Sequence, residues 1–341
     1  MSGFGVFERY PWQEEAWQRL QRYVSQQRVP HALLISGAKG IGKVHLAKQF
    51  AYALLCEQPL NSGGACGQCT RCLLVDAQTH PDFIMITQEF DQKSKKFKTS
   101  IEIEQIRVLV AQMNLKPQFD GYRVVIIAPA DALSHASSNA FLKFLEEPCD
   151  RTVLILVSDQ RHKLSATIKS RCQKLLLSVP ARSEALTWLT RQKVGHEHAA
   201  LVLSLAQGSP LLALDYLQDD HLSQRQACFS LWLAVAKQAT HPVIAAAQWL
   251  NLSEKTLLFW LTTWVIDVMR CRFQTQPDRM YHPDLYQSLR ELAFSLRLVD
   301  VYPFYDLLLQ TRLRIETPIN KQVLWEEILI AWANLNQRGL Q

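Results

Sequence analysis

Between Gly208 and Gly339 the sequence contains no glycine. A sheet needs turn residues between its strands, so this stretch reads as an all-helical domain. Six of the nine tryptophans lie in it, among many Leu, Gln and Arg residues. A long apolar run is also lacking. The longest, Leu257 to Met269, is broken by Thr262, Thr263 and Asp267 and falls short of the roughly 18 residues that a bilayer span needs. No basic-then-apolar leader opens the chain, so a cytoplasmic protein without a membrane partner is expected. Neither sign of charge dominates: 37 Lys+Arg face 31 Asp+Glu, and a net +6 is modest for 341 residues. That balance permits contact with nucleic acid without arguing for it. No Ser/His/Asp or paired-carboxylate constellation is visible, and His31, His80 and His135 have no partner at ligand spacing. With 48% hydrophobic and 20% charged residues, the chain can bury ample core, which excludes both disorder and a disulfide-stapled miniprotein.

The first 180 residues alternate short β-branched runs with helical patterns. His31 to Ser36, Arg123 to Ala128 and Thr152 to Val157 predict strands, with a weaker one at Phe83 to Ile86. Such near-continuous apolar runs fit strands buried on both faces, the signature of a parallel sheet flanked by helices in an α/β core. After Val179-Pro180 the pattern changes to small helices over 181–217, broken by Gly208-Ser209-Pro210. Three domains are predicted: an α/β core over 1–178, a small helical lid over 179–217, and an all-α domain over 218–341. In the last helix Asn320 is expected to cap the first turn. Val323, Leu324, Ile328 and Trp332 are expected on its buried side, with Glu326 and Glu327 in water.

Gly37-Ala38-Lys39-Gly40-Ile41-Gly42-Lys43-Val44 follows the first strand and opens a helix, meeting the phosphate-loop pattern at Gly37, Gly42 and Lys43. Its backbone N–H groups would cradle phosphates, with Lys43 reaching the terminal ones. The closing Ser or Thr that should hold Mg²⁺ is Val44, whose methyl groups cannot ligate a hard cation. The later strand, where an ATPase ends in acidic residues, runs instead into Ala128-Pro129-Ala130-Asp131, with Asp131 three positions too late. Gly37, Gly40, Gly42 and Lys43 therefore read as a degenerate loop, and ATP hydrolysis by this chain is not expected.

Eight cysteines without a secretion signal are not expected to form disulfides. Four are clustered at Cys56, Cys66, Cys69 and Cys72, where Gly63, Gly64 and Gly67 allow tight turns; Cys149, Cys172, Cys228 and Cys271 are scattered. Four soft thiolates predict a closed, structural Zn²⁺ site. A [4Fe–4S] run would need a further Cys-Pro where Asp76 and Ala77 stand, and four free thiols are the bland alternative. Only Arg71 is basic within the cluster, and the Lys93 to Lys98 run reads as a solvated loop.

Ala128-Pro129-Ala130-Asp131-Ala132-Leu133, Asn139 to Leu145 followed by Glu146-Glu147-Pro148, and Ser170-Arg171-Cys172 together resemble subunits of the bacterial DNA polymerase III clamp loader. Tyr10-Pro11-Trp12, His31-Ala32-Leu33-Leu34, the cysteine cluster, His80-Pro81-Asp82 and Ile319-Asn320-Lys321 extend the resemblance over nearly the whole chain. It implies an AAA+ core and lid followed by a collar domain, and the same zinc ion. The broken loop separates this chain from the ATP-hydrolysing gamma/tau subunits, which it otherwise looks like. Leu211 stands where those relatives carry a phosphate-touching Arg, and Ser158 holds the family's sensor position.

Arg171 is kept. In the family this arginine reaches the phosphates of a neighbour's ATP, a task suited to a permanently charged planar fork; the plain alternative is a local surface ion pair. The resemblance implies gamma/tau-type and delta subunits as partners, with the sliding clamp and primed DNA reached through the complex. Two other functions stay open on the sequence: an active clamp-loader ATPase, and a stand-alone zinc-containing DNA-binding protein.

Overall fold

A computed structural model describes residues 9–92, 95–113, 117–147, 149–218, 221–273, 276–315, 317 and 319–338. Contacts divide the chain into two compact units, Met1–Glu184 and Ala185–Gln341. The first contains α1 (Glu14–Ser25), β1 (Ala32–Gly37), α2 (Lys43–Leu55), α3 (Thr70–Asp76), β2 (Phe83–Ile86), β3 (Phe90–Asp91) and β4 (Lys96–Phe97). It continues through α4 (Ile103–Met113), β5 (Arg123–Ile127), α5 (His135–Glu146), β6 (Thr152–Ser158), α6 (Ala166–Arg171) and β7 (Gln173–Leu177).

The apolar runs become a five-stranded parallel sheet in the order β2-β5-β6-β1-β7. Alternation along each strand sorts its side chains to two faces. Leu33, Ile35, Val124, Ile126, Val153 and Ile155 pack with α1 and α2; Ala32, Leu34, Val125, Ile127, Leu154 and Leu156 pack with α4, α5 and α6. Both faces are covered, as the unbroken apolar strands required.

β7 has no counterpart among the predicted strands. It lies at the sheet edge, where Leu175 and Leu177 are buried while Lys174 and Leu176 stay exposed, so its pattern alternates instead of running apolar. The Lys93 to Lys98 run also differs from the expected loop. Phe90 and Phe97 meet edge to face across the short β3–β4 ladder, and Lys98 pairs with Glu89 at 2.6 Å. Such a cross-strand aromatic contact is enough to hold two residues in register; Lys93 and Ser94 lie outside the described residues. The His80-Pro81-Asp82 motif is structural. Buried Asp82 accepts the backbone N–H groups of Gln118 and Phe119 and faces Arg123 at 3.4 Å, tying the chain before β5 to the start of β2.

The second unit is helical throughout its described residues. Beyond α7 (Arg182–Arg191) come α8 (His196–Leu205), α9 (Pro210–Gln218), α10 (His221–Ala236), α11 (Pro242–Gln248), α12 (Glu254–Arg272), α13 (Tyr286–Ser295), α14 (Leu298–Arg314) and α15 (Lys321–Arg338). Tryptophans make its core: Trp232 and Trp332 stack at 4.0 Å, and the Trp332 indole N–H donates to the Trp232 carbonyl. Asn320 caps α15 by accepting the Gln322 N–H. The buried seam of α15 runs through Leu324, Trp325, Ile328, Leu329 and Trp332, whereas Val323 is exposed. At 100° per residue these five side chains fall on one side of the helix, and Val323 points to the opposite side. No single helix among the described residues is long and apolar enough to cross a membrane.

Candidate functional site

The degenerate phosphate loop joins β1 to α2. Gly37 ends β1 so close to β7 that an added Cβ would lie 2.3 Å from the Leu177 carbonyl oxygen. Gly42 caps α2 at φ +80°, and a Cβ there would meet both the Tyr10 ring and the Gln13 amide at 2.7 Å. Both glycines are demanded by the chain's own packing, with no ligand invoked. The segment Tyr10 to Gln13 lies against the loop. Trp12 Nε1 and Gln13 Nε2 each donate to the Ile41 carbonyl at 3.0 Å, Gln13 also donates to that of Gly42, and Tyr10 stacks on Trp12. Gly40 also takes a positive φ of 79°.

Lys43 is the decisive side chain. It is buried, its Nζ pairs with Asp159 Oδ1 at 2.6 Å, and it also donates to the Ala38 carbonyl. The Lys43 charge is already neutralised within the chain; only its own end of the pair is buried, since the Asp159 side chain is 36% exposed to water. Asp131 is engaged as well: its Oδ1 accepts the Asp159 N–H at 3.0 Å. Ser158 is fully buried, with its hydroxyl accepting the Gln160 N–H. Asp159 escaped the sequence reading. It lies two residues beyond the third predicted strand, but nothing local couples it to Lys43; parallel pairing of β6 with β1 brings them together. Val44 presents only methyl groups beside the loop.

Arg171 is the last residue of α6, whose N-terminus is capped by Ser165. Its Nη2 donates to Glu146 Oε1, the last residue of α5, at 2.5 Å, and its Nη1 donates to the Thr167 carbonyl at 3.1 Å. Both partners of the ion pair are substantially solvent-accessible, 34% and 49% by side chain. An exposed pair of this kind is worth about 0–1 kcal/mol, so it restrains the guanidinium without retiring it. Pro148, which closes the Leu145-Glu146-Glu147 element, lies outside the described residues. Neighbouring Cys172 is buried, and desolvation pushes its thiol up to about 11, so it stays a neutral packing group.

The four clustered cysteines converge between α2 and β2. All four sulfurs lie within 4.8 Å of one another, with Cys56–Cys69 and Cys66–Cys72 each 3.9 Å apart. Ligands about 2.3 Å from a tetrahedral ion sit about 3.8 Å from each other, so the spacing fits a four-thiolate metal site. Backbone N–H groups already point at the sulfurs: Cys66 N to Cys56 Sγ, Gln68 N and Cys69 N to Cys66 Sγ, and Cys72 N to Cys69 Sγ. Those of Gln68 and Cys69 bring the Cys66 thiol down to about 6, while burial raises Cys72. Gly63 and Gly67 take φ of +74° and +75°, which supply the turns; Gly64 does not need a positive φ. Trp17 and Gln21 of α1 donate to the carbonyls of Ser62 and Gly63, anchoring the module to the core. Arg71 is occupied by Glu57, the Asp120 carbonyl and the Phe119 ring, so the module offers no free basic group among its described residues.

The sequence matches the family model for the DNA polymerase III delta subunit over residues 12–181 and its C-terminal counterpart over 218–334. It is 32% identical over 334 residues to DNA polymerase III subunit delta' of Pseudomonas aeruginosa, covering 97% of this chain and 99% of that protein. The chain belongs to the delta' family of DNA polymerase III subunits. Similarity to delta' of Escherichia coli is 30% over 338 residues, covering 97% of each chain. A more distant likeness, 34% over 169 residues, links half of this chain to 28% of the DNA polymerase III subunit tau of Bacillus subtilis. The core that carries the family match is an α/β layer in which a five-stranded parallel sheet is flanked by helices.

Proposed function

We propose that this chain is a non-hydrolysing arm of the clamp loader that supplies Arg171 to the ATP site of a neighbouring gamma/tau-type subunit. The observation that carries this reading is the contrast at one core: Lys43 is buried and neutralised by Asp159, while the Arg171 side chain is 34% exposed and its ion pair is open to water. A guanidinium delivered in trans stabilises charge on the transferring phosphoryl group, worth roughly 10³ to 10⁵ in rate in well-studied GTPases. Hydrolysis belongs to the neighbour. This chain contributes geometry and one arginine, helping the complex, with its delta subunit, place the sliding clamp on primed DNA in the cytoplasm.

Residues 179–217 act as the lid and 218–341 as a collar that packs against the collars of the partners. Exposed apolar side chains on α14, Val299, Tyr302, Leu309 and Leu313, support an assembly role for that region. Cys56, Cys66, Cys69 and Cys72 hold a structural Zn²⁺, a closed tetrahedral site that lends stability and no catalysis. Metal analysis should find close to one zinc per chain, and chelation should loosen the loop between α2 and β2; metal-free protein with unchanged melting would sink the zinc assignment.

The deciding experiment is ATP hydrolysis by a reconstituted complex with clamp and primed DNA, comparing wild type with Arg171→Ala and using the isolated chain as control. A silent isolated chain, together with a slower but fully assembled variant complex, is expected. An unchanged rate in the variant complex would reduce the chain to a scaffold. Hydrolysis by the chain alone would make it an active ATPase.

A further inference from the structure

The exposed guanidinium of Arg171 is held by more than its own helix. Glu146 closes α5 and Arg171 closes α6, and both helices are seated in the same sheet face through Phe141, Leu145 and Ile168, all at most 1% exposed. The two charged ends are thus fixed on rigid elements, and their 2.5 Å contact follows from the core beneath them. A guanidinium has five N–H donors. One is taken by Glu146 and one by the Thr167 carbonyl, so the remaining donors are left for an incoming group.

We propose that Glu146 is the positioning residue of Arg171. Resting on the finger role proposed above, its carboxylate and the Thr167 carbonyl brace the guanidinium before a neighbouring subunit presents its phosphates. A long, flexible side chain otherwise has to be ordered at the moment it acts, and bracing removes that cost in advance. The brace holds by two donors only and stays in contact with water. A phosphoryl group carrying more charge therefore competes for the fork without having to dismantle a buried pair. Glu147, next in the chain, has no such contact: its backbone N–H caps α5 and its side chain is exposed.

The test is ATP hydrolysis by the reconstituted complex, with clamp and primed DNA, carrying wild type, Glu146→Gln, Glu146→Asp, Arg171→Ala or the double variant Glu146→Gln/Arg171→Ala. Glu146→Gln should lower kcat at the neighbouring site about two- to five-fold, the scale of an exposed ion pair, with KM for ATP unchanged. Glu146→Asp, which keeps the charge on a shorter arm, should recover part of the loss. In the Arg171→Ala background, Glu146→Gln should change nothing further, because the two residues act as one unit. If Arg171→Ala slows the complex and Glu146→Gln does not, the brace is refuted and the finger stands. If Arg171→Ala itself has no effect, the finger reading falls first. A further loss in the double variant would assign Glu146 to another task and overturn the proposal. Melting of each isolated variant guards against a folding lesion, and if Glu146→Gln melts lower, the comparison of Glu146→Asp with wild type decides.

Discussion

Two cationic side chains of the α/β unit, Lys43 and Arg171, have met opposite fates. Lys43 closes a loop with the glycine spacing of a phosphate loop, yet it is buried against Asp159 and the Ala38 carbonyl. Arg171 lies at a helix end with Glu146 for company and water on the other side. To be recruited, the buried ammonium has to give up both of its contacts, whereas a pair open to water on both sides exchanges partners at little cost. The phosphate loop retains its shape for internal reasons, since Gly37 and Gly42 are needed by Leu177, Tyr10 and Gln13. The same core has buried one cation against an internal partner and left the other in contact with water.

The largest effect that would sharpen this contrast is at Arg171. Arg171→Lys preserves the charge but loses the planar fork, so it should fall most of the way to Arg171→Ala in the assembled complex, approaching a loss of about 10³ at the neighbouring site. Near-normal turnover with lysine would mean that charge alone suffices. Next comes the closed loop. Asp159→Ala should destabilise the isolated chain by roughly 1–3 kcal/mol in urea unfolding, less than for a fully buried pair because Asp159 is partly in water. Lys43→Met, which removes the charge and keeps the stem, should be close to neutral by the same measurement. A large loss with methionine would show that the ammonium holds more than Asp159 and Ala38. The smallest effect expected is none: saturating Mg²⁺-ATP should leave the melting temperature of the isolated chain unchanged. A working site at a hundredfold excess over Kd would add about 2.7 kcal/mol, so a clear upward shift would break the contrast outright.

The parts of the fold that could be read from the sequence are those whose signal is local. β1, β5 and β6 announced themselves because strands buried on both faces carry near-continuous apolar runs. β7 did not, because an edge strand with one open face carries Gln173, Lys174 and an outward Leu176. The four-cysteine module was legible from spacing and glycines, since its cysteines come from one short segment. The seam of α15 was mostly legible; Val323, half a turn away from Trp332 by the helical period, was misplaced on it.

What the residues determined by themselves is what they lack: Val44 has no oxygen for a cation, Ala128 no carboxylate, and Leu211 no charge, whatever the fold does with them. Chemical absence is a property of the side chain and needs no coordinates. Which charges meet was decided only by the tertiary structure. Asp159 reaches Lys43 because β6 runs beside β1, and Glu146 reaches Arg171 because α5 and α6 share one face of the sheet. Pairing depends on distance in space, and strand order and helix seating set that distance across segments far apart in the chain.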